Sequence, residues 1–99
     1  MIYIDWVKQL SRHEGKLIRI WIEDRSGEKQ TEPKQFLLHK VQDSVDPGYM
    51  QFYLNPTQFL TVPIFDDNHT RIEQSNGEEC FVSHDSQAKL LYRVYFNHD

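Results

Sequence analysis

Residues 50–65, MQFYLNPTQFLTVPIF, form the densest apolar stretch of the chain, and their reading decides the fold. Pro56 fixes its own φ and pushes Asn55 out of the helical region, so no helix runs through the stretch. It reads instead as two strands, Tyr49–Leu54 and Gln58–Ile64, separated by Asn55-Pro56-Thr57. Side chains alternate along a strand, so Leu60, Val62 and Ile64 share one face, and Phe59, Thr61, Pro63 and Phe65 share the other. Large apolar groups on both faces predict packing on each side. Pro63 has no N–H for a ladder, which places it at an edge or a bulge.

Toward the N-terminus, Asp43-Ser44-Val45-Asp46-Pro47-Gly48 is a turn, with Pro and Gly adjacent. Gln35–Gln42 reads as one strand, with Phe36 and Leu38 against Leu37, His39 and Val41. Asp24–Pro33 is a polar loop with Gly27 in its turn. Lys16–Glu23 alternates cleanly: Ile18, Ile20 and Ile22 face one way, and Leu17, Arg19, Trp21 and Glu23 the other. Over Met1–Glu14, Tyr3, Val7 and Leu10 fall at helical spacing with Ile2 and Trp6 beside them, and Gly15 stands where a helix would stop.

Toward the C-terminus, Asp66-Asp67-Asn68-His69 turns the chain into a short exposed strand, Thr70–Gln74. Asn76-Gly77 is the strongest hairpin signal, answered by Glu79–Ser83. After His84-Asp85-Ser86, Ala88–Asn97 alternates Ala88, Leu90, Tyr92, Val94 and Phe96 with Lys89, Leu91, Arg93, Tyr95 and Asn97. The expected fold is mainly β: a small antiparallel β-barrel or sandwich of about six to seven short strands with one N-terminal α-helix. It is a single domain over 1–99, with the helix at 1–14 and the barrel or sandwich at 16–97. Ile18, Ile20, Ile22, Leu60, Val62, Ile64, Leu90, Tyr92 and Val94 are expected to share one core.

A helix ending at Gly15-Lys16 and followed by short, twisted strands resembles the outline of Sm-like and SH3-like barrels. The resemblance lies in element order. Asp24-Arg25-Ser26-Gly27 departs from the Asp-Gly turn of the Sm pattern, and no Sm-type RNA-binding residue carries over.

A net charge of −4 disfavours nucleic acid and anionic membranes, which both draw on an excess of Lys and Arg. No apolar run approaches the roughly 20 residues that span a bilayer. With no signal-peptide pattern at the N-terminus, a cytoplasmic location is expected. The single cysteine, Cys80, excludes an intrachain disulfide and a multi-cysteine zinc site.

The acidic pairs Asp43 and Asp46, Asp66 and Asp67, and Glu78 and Glu79 fall in loops and turns, where Asp bonds its own backbone. Asp66, Asp67 and His69 are the best candidates for a divalent metal, although the five histidines show no ligand spacing. Cys80 and His84 share a strand face but lie about 13 Å apart at roughly 3.3 Å per residue, too far for a thiol–imidazole pair. No nucleophile elbow, phosphate loop or cofactor motif is present, so the chain reads as no enzyme.

The most informative surface mixes aromatic and basic groups. Arg19 and Trp21 share the outer face of the first strand, and Lys89, Arg93 and Tyr95 that of the last. The leading expectation is a non-catalytic protein-binding or assembly module. A single-stranded nucleic-acid binder of Sm or OB type comes second. A small metal-dependent protein using the acidic loops comes third. Apolar groups outside the expected core, including Tyr49, Phe52, Phe59, Phe65, Leu91 and Tyr95, point to a homodimer.

Overall fold

Asp5 opens the first element: its Oδ1 accepts the Lys8 backbone N–H at 3.0 Å and caps the helix α1, Trp6–Leu10. The computed structural model describes residues 5–24, 34–65, 67–75 and 77–96. The helix expected over Met1–Glu14 is therefore shorter where described, and the contribution of Ile2 and Tyr3 lies outside those residues. The Ser11 hydroxyl bonds the Lys8 carbonyl, and Ser11–His13 tightens into a 3₁₀ turn. Gly15, at φ 85°, then swings the chain into the sheet and donates its N–H to the Leu38 carbonyl at 2.7 Å.

Among the described residues eight strands follow: β1 Leu17–Asp24, β2 Lys34–Leu37, β3 Lys40–Asp43, β4 Tyr49–Tyr53, β5 Phe59–Pro63, β6 Thr70–Ser75, β7 Glu78–Asp85 and β8 Leu90–Phe96. They form two antiparallel sheets, one of five strands in the order β2-β1-β8-β7-β6 and one of three in the order β3-β4-β5. The extra strand comes from Gln35–Gln42, which is two strands in different sheets and not one. The break falls at Leu38-His39. Leu38 N–H still bonds Lys16 O beside β1, whereas His39 N–H bonds Tyr53 O beside β4. Crossing between sheets shifts the alternation, so Leu38 and Val41 are both buried although the pattern had set them on opposite faces.

The main core takes Leu10, Ile18, Ile20, Leu38, Val41, Met50, Phe52, Val62, Phe81, Val94 and Phe96, drawing on α1 and on both sheets. Ile22, Leu60, Ile64 and Tyr92 pack against it half-buried, so most of the expected core is present, while Leu90 is not among its members. Phe52, placed outside the core by the sequence, is fully buried and meets Phe81 edge-on at 5.7 Å. Leu91 is also buried, on the opposite face of its sheet. Pro63 sits in the edge strand β5, as its missing donor required.

A buried polar relay links the sheets. Ser83 Oγ donates to the Pro63 carbonyl, the Thr70 hydroxyl lies 3.0 Å from Ser83 Oγ, and Phe65 N–H donates to Thr70 Oγ1 at 2.8 Å. A carbonyl can only accept, so the direction is settled: Ser83 gives its proton to Pro63, and Thr70 gives its own to Ser83.

Candidate functional site

Strands β1 and β8 run side by side, with Arg19 opposite Tyr95 and Trp21 opposite Arg93. Their parity turns all four side chains to the outer face of the five-stranded sheet. The Arg19 guanidinium carbon lies 4.9 Å from the Tyr95 ring centroid, and that of Arg93 lies 5.9 Å from the Trp21 ring. Arg19 also donates to Glu78 Oε2. A hydrogen bond with Tyr95 holds the Arg93 guanidinium even more firmly protonated than usual. Strand β7 continues the face, with Cys80 opposite Tyr95 and Val82 opposite Arg93. Cys80, Val82 and Leu91 form a second buried cluster there, with Tyr95 packed on it.

Four of the five expected binding residues are thus brought together. Lys89 is not: it sits in the turn before β8 at φ 57°, on the far side of Leu90 and Leu91 from Arg93. Burial pushes the Cys80 thiol up to about 11, which keeps it protonated and unreactive at neutral pH. The Trp21 indole N–H is shielded and has no acceptor among the described residues.

Of the candidate metal ligands, Asp66 lies outside the described residues. Asp67 and His69 bond each other: Asp67 Oδ1 accepts from the His69 backbone N–H at 2.9 Å and lies 2.8 Å from His69 Nδ1. The backbone bond first, and the ring bond after it, hold the Asp67 carboxyl below its usual range. Among the described residues, no group of three or more His, Cys, Asp or Glu side chains is placed to hold an ion. His84 was not among the candidates, yet its ring centroid lies 5.7 Å from that of His69.

Sequence reasoning also missed an ionic cluster behind the sheet, in which Glu79 and His13 are buried and Arg12 reaches in from the surface. Glu79 receives Arg12 Nη2 on both carboxylate oxygens, at 2.6 and 2.7 Å, and His13 Nε2 lies 2.7 Å from its Oε2. The His13 ring stacks on Phe96 at 4.1 Å, and its Nδ1 is buried without a partner among the described residues. That geometry fits a neutral imidazole with its proton on Nε2, since a second N–H would be buried with no acceptor. Burial accordingly lowers the His13 pKa, although Glu79 pulls the other way. Burial would raise Glu79, but the hydrogen bonds from His13 and Arg12 outweigh it and hold the carboxyl below its usual range. The available signal was parity: Glu79 alternates in phase with Phe81 and Ser83, both fully buried.

No protein-family model matches the chain, and neither a curated protein nor a solved structure gives a match. Among the described residues, no helix is long and apolar enough to cross a membrane.

Proposed function

We propose that the chain is a non-catalytic binding module whose β1–β8 face engages a protein partner. The observation that carries this reading is the cross-strand set Arg19–Tyr95 and Trp21–Arg93, in which each guanidinium lies over a ring. Trp, Tyr and Arg are the side chains most enriched at the energetic centres of protein interfaces. Held in place before binding, they lose less freedom on association.

The same contacts weigh against single-stranded nucleic acid. Arg19 is committed to Glu78, and each ring offers one face to an arginine when it would need to stack on a base. Titration with single-stranded oligonucleotides at low salt, followed by tryptophan fluorescence, is expected to show no saturable binding. Binding that weakens steeply with salt and fails in Trp21→Ala would replace the protein-partner reading with the nucleic-acid one. For a protein partner, capture should be lost in the Trp21→Ala/Arg93→Ala double variant and kept in Lys8→Ala. Equal capture by both variants would overturn the assignment of the face.

A second form of the reading is self-association. It is favoured by the outer face of β3–β4–β5, where Tyr49 and Phe59 are 45% and 46% exposed and Tyr53 packs on Phe59 at 5.0 Å.

A further inference from the structure

The β6–β7 ladder runs one step beyond its last paired residues, Thr70 and Ser83: the His84 N–H donates to the His69 carbonyl at 2.8 Å. Residues opposite one another across an antiparallel pair project to the same face. The two imidazoles accordingly lie side by side, with centroids 5.7 Å apart and planes tilted by 39°. Two imidazoles bound to one ion through metal–nitrogen bonds of about 2.1 Å have centroids roughly 5–5.5 Å apart. The observed spacing is close to that value, and the His69 side chain is 42% exposed, which leaves the pair open to an ion from solvent.

Asp67 supplies the independent observation. Its carboxylate takes the His69 Nδ1–H, so the lone pair of the neutral ring is on Nε2. A carboxylate behind an imidazole is the usual support of a metal-bound histidine, since it fixes the tautomer and raises the basicity of the free nitrogen. The backbone N–H of His69 on the same Asp67 oxygen holds that carboxylate in place. The sequence had grouped Asp66, Asp67 and His69 as ligands; Asp66 lies outside the described residues, and the geometry sets Asp67 behind His69 and brings His84 beside it.

We propose that His69 and His84 form an open two-imidazole site for a divalent transition ion of the zinc or copper class, with Asp67 as its orienting carboxylate and water at the remaining positions. Imidazole suits these ions, whereas magnesium and calcium require an oxygen shell. With two protein ligands the site leaves positions open and binds more weakly than a closed structural centre.

Isothermal titration of the intact chain with Zn²⁺, and separately with Cu²⁺, at pH 7.5 tests this, with Mg²⁺ as the control. The expected result is one saturable site for Zn²⁺ and Cu²⁺ and none for Mg²⁺. His69→Ala and His84→Ala should each abolish it, and Asp67→Asn should weaken it about 10- to 100-fold without removing it. Ring-proton NMR of the unmutated chain should show the ion shifting His69 and His84 ahead of other histidines, a readout that needs no variant to fold. No saturable Zn²⁺ or Cu²⁺ binding, or binding that survives His84→Ala and shifts other rings, would overturn the site.

Discussion

At the scale of single residues, His13 and Glu79 make stability depend on acid. The ordinary values are 6.5 for His13 and 4.5 for Glu79, and both groups are lowered in the fold. The native state therefore binds fewer protons than the unfolded chain as pH falls through these values. The stability contributed by neutral His13 is complete above about pH 6.5 and declines as pH falls through its lowered value. That of Glu79 is complete above about pH 4.5 and is lost further into acid. Urea melts from pH 7.5 to pH 5 should show a falling midpoint, and His13→Gln should flatten the upper part of that fall. An unchanged slope in His13→Gln would show that His13 is not the titrating group. Burial also predicts a packing cost: Ile20→Ala should lose about 2–5 kcal/mol in the same melts. A near-neutral result would mean that the inner face of β1 is wrongly assigned, although Ile20 is only 8% exposed.

At the scale of elements, the joint between the sheets is polar as well as apolar. Ser83→Ala would leave the Pro63 carbonyl without its donor and the Thr70 hydroxyl without its acceptor. A buried group stripped of its partner costs about 1–3 kcal/mol, so a loss of that size is expected in denaturant melts. A loss below half a kcal/mol, by contrast, would place the relay in contact with solvent. This joint was not legible in the sequence, because Ser83 and Thr70 belong to a pattern of plain alternation and only the two-sheet arrangement brings Pro63 to them. The alternation of β1 and β8 was legible. Ile18, Ile20 and Val94 are buried, and Arg19, Trp21, Arg93 and Tyr95 lie on the opposite face. Parity gives the face of a residue and not its neighbour, so the pairing of Trp21 with Arg93 required the ladder itself. The Gln35–Gln42 segment failed for the same reason in reverse, since nothing local marks Leu38-His39 as a passage from one sheet to another. Phe52 was misplaced because a strand with large groups on both faces does not say which face meets the second sheet.

At the scale of the whole molecule, the apolar surface that motivated self-association is smaller than the sequence suggested, because Phe52 and Leu91 turn out to be buried. Among the described residues, the large apolar side chains left exposed are Val45 in its turn, Tyr49 and Phe59 beside half-buried Tyr53, and Leu17 and Leu37, which face each other at the outer edge of the other sheet. If the aromatic cluster is a dimer contact, sedimentation equilibrium gives a mass above the monomer's 11.9 kDa at high micromolar concentration, returning to the monomer in Phe59→Ser. A monomer mass throughout removes self-association.

The placement of β1 beside β8 also has a consequence in time. Strands β3, β4 and β5 are joined by short turns and can pair soon after they are made, whereas Ile18 lies opposite Phe96. Contacts between residues so distant in sequence carry a high closure cost and form late. Stopped-flow measurements should therefore find that Val62→Ala mainly slows folding, while Ile20→Ala mainly speeds unfolding; the reverse would mean that β1 joins the nucleus. On a ribosome, β1 emerges before the other strands, and Ile18, Ile20 and Ile22 wait without their neighbours in β8 until that strand has followed. During that interval an unpaired strand with an apolar face is open to aggregation.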